Sequence, residues 1–305
     1  MTSGEAGSLV NTVRTLALSS RPLSWVNTAF PFGAAYFVTT REVDLLLVLG
    51  VIYFLIPYNL AMYGINDVFD YESDLRNPRK GGVEGALLAP AQHRVTLIAS
   101  TVTNIPFLVY LVVVGSPLSS AVLAVSVFAV IAYSAKGLRF KEKPFVDSLT
   151  SSTHFVSPAI FGLTIAGATF TPGLWAILLS FFLWGIASHA FGAVQDIVAD
   201  RDGGIASIAT VIGGRATVRL AFVCYVLAGL LLLFLGFPGA VAAVLAIPYA
   251  ASVLPFWSIT DAEAERANRG WRRFLWFNFA SGFVVTMLLI WWCLVTAPSG
   301  LAAGQ

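Results

Sequence analysis

The chain has 305 residues, of which 57% are hydrophobic and 11% are charged, and its mean hydropathy is +0.81. A water-soluble domain carries about a quarter charged residues, so this chain has too few charges to cover a water-facing surface of its size. The composition therefore excludes a soluble multidomain enzyme and predicts an integral membrane protein. The net charge of +2 also excludes a strong overall field that would attract nucleic acid.

About twenty consecutive apolar residues cross a bilayer as a helix. Runs such as Leu230 to Leu235 are apolar on every face, which excludes the alternating polarity of a β-barrel. We therefore predict an all-α integral membrane protein, a bundle of about nine transmembrane helices. The predicted spans are Pro22–Val38, Leu45–Ile65, Val95–Val114, Leu118–Ala135, Val146–Ala166, Leu174–Gln195, Ala216–Gly236, Gly239–Ser258 and Phe274–Thr296.

These spans divide the chain into an N-terminal segment (1–21), a single transmembrane domain (22–296) and a C-terminal tail (297–305). The first twenty residues contain Glu5 and Arg14 and have no continuous apolar run, so we expect no cleaved signal peptide. Leu9, Val13 and Leu16 have helical spacing. Residues 8 to 18 are therefore either a short amphipathic helix on the membrane surface or a tail without fixed structure.

The placement of the basic residues predicts the orientation. With these spans, 17 of the 18 Lys and Arg residues lie on the side of the N-terminus, and Arg41 is the exception. The positive-inside rule then predicts a multi-pass protein of the cell membrane with a cytoplasmic N-terminus and an external C-terminus. Cys224 and Cys293 lie inside apolar spans without framework spacing, so we interpret both as packing residues.

Two acidic motifs stand at the predicted cytoplasmic ends of the second and sixth spans. Asp67, Asp70 and Asp74 occur at i, i+3 and i+7, which would place them on one stripe of a helix. Asp196 and Asp200 are one helical turn apart. Five carboxylates near a bilayer are costly unless cations neutralise them.

Clustered aspartates suit Mg²⁺, which accepts one or two carboxylates per ion together with phosphate oxygens and water. The natural ligand of such an arrangement is a diphosphate bridged by Mg²⁺. The loop after the fourth span adds Lys136, Arg139 and Lys141, and cations at these positions can hold phosphate oxygens and stabilise a departing diphosphate. The alternative is that these residues are basic only because the loop is cytoplasmic, as the positive-inside rule predicts.

The N-D-x-x-D-x-x-x-D pattern at Asn66 to Asp74, the D-x-x-x-D pattern at Asp196 to Asp200 and the nine predicted helices resemble the UbiA-type intramembrane prenyltransferases. The stretches from His189 to Asp196 and from Arg201 to Thr210 look like the lycopene elongase branch of that family. This resemblance implies a prenyltransferase that ionises an allylic diphosphate with the help of Mg²⁺. In that branch, dimethylallyl diphosphate would supply the carbocation and the terminal double bond of lycopene would attack it.

The resemblance also implies the site residues. The metal ligands would be Asp67, Asp70, Asp74, Asp196 and Asp200, and the catalytic set would be Asp67, Asp70, Asp196, Asp200, Lys136, Tyr133 and His189. Further contacts to the diphosphate and its metal would come from Asn66, Arg139, Arg79, Lys141 and Arg201.

After prenyl transfer the acceptor is a tertiary cation that must lose a proton or take up water. His189 lies seven residues before Asp196 and therefore on roughly the same helix face, and its role as the base is a hypothesis. His154 is a second intramembrane histidine. For both, a neutral histidine hydrogen-bonded within the bundle is the alternative, and the diphosphate product can itself serve as the base.

Two other readings of the function stay open at this point. One is a different acceptor, such as a quinone ring, a glycerol ether lipid or a chlorophyll precursor. The other is a cation-coupled transporter, which also places acids in the membrane. Transporters bind their ligands near the midplane of the bilayer, whereas these acids lie at one face, and that position favours an enzyme.

Overall fold

The structure is a computed structural model that describes residues 3–75 and 87–296 of the chain. The side chains of residues 3–9, 73, 74 and 275 are outside the described part. The described residues form helices and no strand, which confirms the predicted all-α membrane fold. The α-helices are α1 (Ser3–Ser19), α2 (Val26–Thr40), α3 (Leu45–Leu55), α4 (Pro57–Phe69), α5 (Tyr71–Asp74), α6 (Pro90–Val114), α7 (Pro117–Ser134), α8 (Val146–Ile165), α9 (Pro172–Val194), α10 (Ile197–Asp202), α11 (Ile208–Ile212), α12 (Gly214–Leu232), α13 (Ala246–Val253) and α14 (Asn268–Val295).

Helical structure is found at each of the nine predicted spans. Within the described residues, seven helical segments are long and apolar enough to cross a membrane. The predicted spans outside this set correspond to α2, which has 15 residues, and to α8, which has 20 residues and buries several polar side chains. The exact number of spans therefore stays a prediction.

The chain divides into two compact units. The first comprises residues 1–169 and 198–211, and the second comprises residues 170–197 and 212–305. In the first unit, α8 packs against α2 and α7, and α4 packs against α6. In the second unit, α12 packs against α9 and α13.

The second predicted span is broken in its middle, between α3 and α4. Pro57 has no N–H, so it cannot continue the hydrogen-bond ladder of α3. The Asn59 amide compensates by donating to the carbonyls of Phe54 at 2.8 Å and Leu55 at 3.0 Å. Thr28 on α2 also donates to the Phe54 carbonyl, at 2.7 Å. These bonds satisfy backbone groups that the bilayer cannot satisfy, and they fix the start of the helix that carries Asp67.

The core of the first unit is a group of stacked rings around this break. Phe32, Phe54 and Tyr53 are fully buried. The centroid of Phe32 lies 5.1 Å from that of Phe54, and Phe54 lies 5.2 Å from Tyr58. Such aromatic pairs contribute about 0.5–1.5 kcal/mol each beyond burial, so this cluster holds α2, α3 and α4 in fixed register.

The N-terminal segment is a helix, α1, whose end lies beside α4. It spans Ser3–Ser19, which confirms the helical alternative for residues 8 to 18 and extends it. Gln92 at the start of α6 donates to the Thr15 hydroxyl at 3.2 Å. This packing brings the residues that follow α1 to the first acidic motif.

Candidate active site

The first acidic motif lies where α4 ends. Asp67 is in the last turn of α4, Asp70 follows the last residue of that helix, and Asp74 closes the short helix α5. The helix is interrupted at Asp70, so the predicted stripe of three carboxylates on one continuous helix is wrong in this detail. The side chain of Asp74 is outside the described part, and Arg79 lies outside the described residues altogether.

Asp67 is buried, and two groups from the N-terminal segment hold it. Ser19 donates from Oγ to Oδ2 of Asp67 at 3.1 Å, and Arg21 donates from Nη2 to Oδ1 at 3.1 Å. The Arg21 guanidinium also stacks 4.3 Å from the centre of the Tyr63 ring. Its Nε is buried and has no hydrogen-bond partner in the described part of the chain. Arg21 therefore presents a donor to this site while its charge is fixed by Asp67 and Tyr63.

From the sequence alone, Arg21 was only one of the basic residues that predict the membrane orientation, and no role in the site was predicted for it. The backbone at Arg21 is left-handed, with φ of 52°, and this turn directs the side chain back to α4. A basic residue directly before Pro22, where the first predicted span begins, was the available signal. That signal does not reveal which carboxylate the side chain contacts.

Asp70 is paired with two cations from the loop after α7. The Lys141 ammonium forms an ion pair with Oδ1 of Asp70, and Arg139 Nη2 lies 3.6 Å from the same oxygen. Arg139 also donates to the Phe69 carbonyl at 3.3 Å and pairs with Glu142. The loop thereby brings basic charge to the end of α4, and the contact of Arg139 and Lys141 with a diphosphate stays a prediction.

Lys141 is the most buried of these cations, with 13% of its side chain exposed. Burial lowers the pKa of its ammonium group from 10.5 to about 8, although the charges of Glu142, Asp200 and Asp67 oppose that shift. A desolvated ammonium of this kind binds an anion strongly because little water has to be displaced. Lys136, the other predicted lysine, is exposed on the turn after α7.

Tyr133 is in the last turn of α7, beside this site. Its ring lies edge-on to that of His154, with centroids 5.2 Å apart. The charges of Asp147, Arg21 and Asp200 all act on the Tyr133 hydroxyl. Tyr133 therefore lies within electrostatic range of Arg21 and of Asp200 of the second motif.

Asn66, the first residue of the motif, connects α4 to α7. Its side-chain oxygen accepts a hydrogen bond from the Ser134 hydroxyl at 3.0 Å. Ser134 is the last residue of α7 and directly follows Tyr133. The bond therefore sets the position of Tyr133 relative to the aspartates.

Asp147, on α8, holds the segment that follows Asp200. It is fully buried, its Oδ2 accepts the backbone N–H of Ile208 at 2.7 Å, and its Oδ1 accepts that of Ser148 at 2.6 Å. Arg201 donates to the Thr210 carbonyl at 2.7 and 3.2 Å, so the residue predicted to bind the diphosphate also closes the loop between α10 and α11. Asp147 is a positioning residue that the sequence analysis missed because it lies inside an apolar span with no motif.

In the second unit, α9 ends just before Asp196. The helix stops at Val194, one residue before the predicted end at Gln195, and α10 begins at Ile197, so Asp196 lies between two helices and Asp200 lies on the second. Gln195 is buried and accepts a hydrogen bond from the Asn268 amide at 2.5 Å. His189 is partly buried within α9. The role of Asp196 as a ligand and that of His189 as a base stay predictions.

The donor set at the end of α4 fits Mg²⁺ chemically. Asp67, Asp70 and Asn66 offer hard oxygen donors, which Mg²⁺ prefers. The carboxylates of Asp67 and Asp70 pair with Arg21 and Lys141. A bound metal ion would compensate the same negative charge. Among the described side chains, no group of three or more His, Cys, Asp and Glu residues is arranged to hold a metal ion.

The sequence profile of the UbiA prenyltransferase family matches residues 28–282. This chain belongs to that family. It is a membrane prenyltransferase, and family membership decides between the enzyme and the transporter reading in favour of the enzyme.

Two relatives are similar over 282 residues, which is 92% of this chain. The C50 β-cyclic carotenoid biosynthesis protein LbtBC of a Dietzia species is 61% identical, and the chain spans 65% of that protein's length. A lycopene elongase/hydratase of Corynebacterium glutamicum is 55% identical, with 98% of its length covered. These relatives support prenyl transfer in carotenoid biosynthesis.

Among solved structures, a UbiA homologue from Archaeoglobus fulgidus bound to geranyl diphosphate and Mg²⁺ superposes with a TM-score of 0.64. It is 18% identical, and the match covers 88% of this chain and 99% of that protein. The same homologue bound to dimethylallyl diphosphate and Mg²⁺ gives a TM-score of 0.64 at 19% identity. At these identities the likeness establishes the fold.

Proposed function

We propose that this protein transfers a dimethylallyl group from dimethylallyl diphosphate to the ends of lycopene, in a reaction that requires Mg²⁺. The observation that carries this proposal is the convergence of Arg21, Arg139 and Lys141 on Asp67 and Asp70 at one end of α4. A diphosphate needs cations and donors at its oxygens, and its isoprenyl chain needs an apolar environment. The names of the two curated relatives support a carotenoid acceptor.

The basic residues have distinct tasks in this proposal. The Lys141 ammonium and the Arg139 guanidinium hold non-bridging oxygens of the diphosphate, and the buried Nε–H of Arg21 donates to another. Bound Mg²⁺, held by Asp67 and Asp70 with Asp74, Asp196 and Asp200 as the further ligands predicted from the sequence, would neutralise charge on the leaving diphosphate. Asn66 orients α4 through Ser134, and Arg79, Lys136 and Arg201 stay predicted contacts to the diphosphate.

The covalent step follows from this placement of charge. The allylic C1–O bond breaks heterolytically, and the diphosphate keeps the electron pair. The terminal double bond of the acceptor forms a carbon–carbon bond with the allylic cation, which leaves a tertiary cation on the acceptor. That cation loses a proton to a base, for which we keep His189 as the candidate, or takes up water. Tyr133 and the neighbouring rings line the path of the cation, because π faces stabilise positive charge without reacting.

Expression of the full chain in cells that accumulate lycopene tests this proposal. We expect pigments whose masses exceed that of lycopene by one or two prenyl units. Asp67→Asn should abolish the new pigments, while Asp202→Asn, which changes an exposed acid close to the second motif, should leave them unchanged. Unchanged lycopene in the presence of inserted wild-type protein would contradict the acceptor and direct attention to a quinone ring or another lipid.

The base and the orientation have separate tests. His189→Phe should shift the product pattern or slow turnover, and an unchanged pattern together with unchanged turnover would overturn the role of His189. We propose that the N-terminus lies in the cytoplasm and the C-terminus outside. Reporter fusions at both ends should then be active on opposite sides, and activity on one side only would contradict this orientation.

A further inference from the structure

The second unit contains a group of aromatic rings around Tyr249 that the proposed reaction does not use. We call Trp184, Tyr225, Tyr249, Phe274 and Phe277 the aromatic box. Tyr225 stacks on Tyr249 with centroids 5.4 Å apart, and Trp184 stacks on Phe274 at 5.4 Å. Trp184 lies edge-on to Tyr249 at 5.9 Å, and Phe277 lies 5.6 Å from Tyr249. The rings come from α9, α12, α13 and α14, so four helices of this unit meet here.

An amide is placed at the edge of this box, in the middle of α14. Asn278 accepts a hydrogen bond at Oδ1 from the Tyr249 hydroxyl at 2.9 Å, and Ser281 Oγ lies 3.2 Å from the same hydroxyl. The Nδ2 atom of Asn278 is buried and has no hydrogen-bond partner in the described part of the chain. In the hydrocarbon layer an unsatisfied N–H is costly, and a leucine would fill the same space without that cost. The amide donor therefore points to a ligand that accepts a hydrogen bond.

The other polar groups of the box are already paired. The Tyr225 hydroxyl lies 3.0 Å from Ser188 Oγ, and Ser188 also donates to the Trp184 carbonyl at 2.7 Å. The box residues are all neutral, so a charged ligand would find no counter-ion among them. A ligand that matches this arrangement has an apolar chain for the rings and one neutral oxygen for the Asn278 amide.

We propose that the aromatic box binds the hydroxylated end of an isoprenoid, with Nδ2–H of Asn278 donating to the hydroxyl oxygen. A water molecule is a weaker fit, because a buried water needs two to four polar partners, whereas a hydroxyl on a lipophilic chain is held by one donor and the surrounding rings. The identity of the natural ligand rests on the proposed function. There, the tertiary cation takes up water and the adduct loses a proton, which yields a tertiary alcohol, and the relative from Corynebacterium glutamicum is named as an elongase and hydratase.

Direct binding to the detergent-purified full chain tests the site independently of turnover. The probes are radiolabelled geranyllinalool, a tertiary isoprenoid alcohol, and the same hydrocarbon with hydrogen in place of the hydroxyl. We expect the wild-type protein to bind the alcohol about fivefold more tightly, the size of one neutral hydrogen bond. Asn278→Leu should bind both probes equally. Ser281→Ala is the matched control, because it keeps the Asn278 amide, and it should retain the preference.

Equal binding of both probes by the wild-type protein would overturn the proposal, and this is the result expected if the amide holds only water. Retention of the alcohol preference in Asn278→Leu would overturn it as well. Leucine is well tolerated in a membrane helix, so we expect this variant to insert and to elute as a single species. Tyr249→Phe provides a second variant, since loss of the hydroxyl removes the hydrogen bond that orients the Asn278 amide and should reduce the preference.

Pigment analysis supplies a second readout. In lycopene-accumulating cells, Asn278→Leu should lower the ratio of hydroxylated to non-hydroxylated prenylated products about fivefold, while the total number of prenyl groups transferred stays within about twofold of wild type. An unchanged ratio would count against the site. If the wild-type protein transfers no prenyl group to lycopene, the proposed function fails, and the ratio of binding affinities still decides whether the box binds an alcohol.

Discussion

The end of α4 in the first unit and the surroundings of Tyr249 in the second unit hold their polar groups in different ways. In the first, Arg21, Arg139, Lys141, Asp67 and Asp70 gather at one end of α4, and each contact pairs opposite charges. In the second, the polar groups around Tyr249 are neutral amides and hydroxyls enclosed by rings. The charged groups at the end of α4 are paired with opposite charges, and the groups around Tyr249 are neutral, because the cost of desolvation rises steeply from a neutral group to an ion.

The largest expected effect comes from removing charge in the first unit. Asp67→Asn leaves Arg21 without its buried counter-ion and removes a metal ligand, so we expect prenyl transfer to fall about a thousandfold. The comparison variant is Asn278→Leu in the second unit, which should keep the transfer rate. Steady-state rates of product formation in membranes measure both. Comparable losses in the two variants would mean that the units do not divide these tasks.

Arg21 should show the next largest effect. Arg21→Lys keeps the charge but loses the Nε donor and the planar stack on Tyr63, so we expect kcat/KM for the diphosphate to fall about tenfold to thirtyfold. Arg14→Lys is the matched control on α1. Activity equal to wild type in Arg21→Lys would limit Arg21 to a charge partner of Asp67.

Lys141 makes the first unit sensitive to pH. Its folded pKa is about 8, below the unfolded value of 10.5, so the ammonium is lost as the pH rises through 8. We expect kcat/KM for the diphosphate to fall about tenfold per pH unit above that value. A profile measured from pH 6 to 10 should show this limb, and Lys141→Arg should remove it because arginine stays protonated.

The same shift has the opposite effect on stability. Between pH 8 and 10.5 the unfolded chain binds more protons at Lys141 than the folded protein does, so this group makes the folded state more stable as the pH rises in that window. Thermal unfolding in detergent measures this trend. A parallel loss of stability and activity above pH 8 would mean that unfolding, and not deprotonation of Lys141, ends activity.

The smallest expected effect concerns packing. A Cβ at Gly50 would overlap the Phe32 ring in the core of the first unit, whereas a Cβ at Gly282 in α14 meets no described atom within 4 Å. We expect Gly50→Ala to destabilise the protein by about 1–3 kcal/mol and Gly282→Ala to have no measurable effect. Apparent melting temperatures in one detergent compare the two. Equal behaviour would contradict the tighter packing inferred at Gly50.

The sequence predicted the fold class because apolar runs of about twenty residues have one stable form in a bilayer. It located both acidic motifs and predicted basic partners from the loop after α7, of which Arg139 and Lys141 contact Asp70. It did not find Arg21 or Asp147, since neither lies in a motif and each meets its partner across a long separation along the chain. It also predicted Asp67, Asp70 and Asp74 on one stripe of a helix, whereas α4 ends at Phe69, directly before Asp70.

The amino-acid sequence by itself determined that this protein is a helical membrane prenyltransferase, because hydropathy, spacing and motif are properties of local sequence. Only the tertiary structure decided which cations hold which carboxylates, and that Asn278 presents a buried amide to an aromatic box. Those contacts depend on the packing of helices distant along the chain. The direction of the Arg21 side chain depends on a left-handed backbone conformation, and the periodicity of the sequence does not encode that conformation.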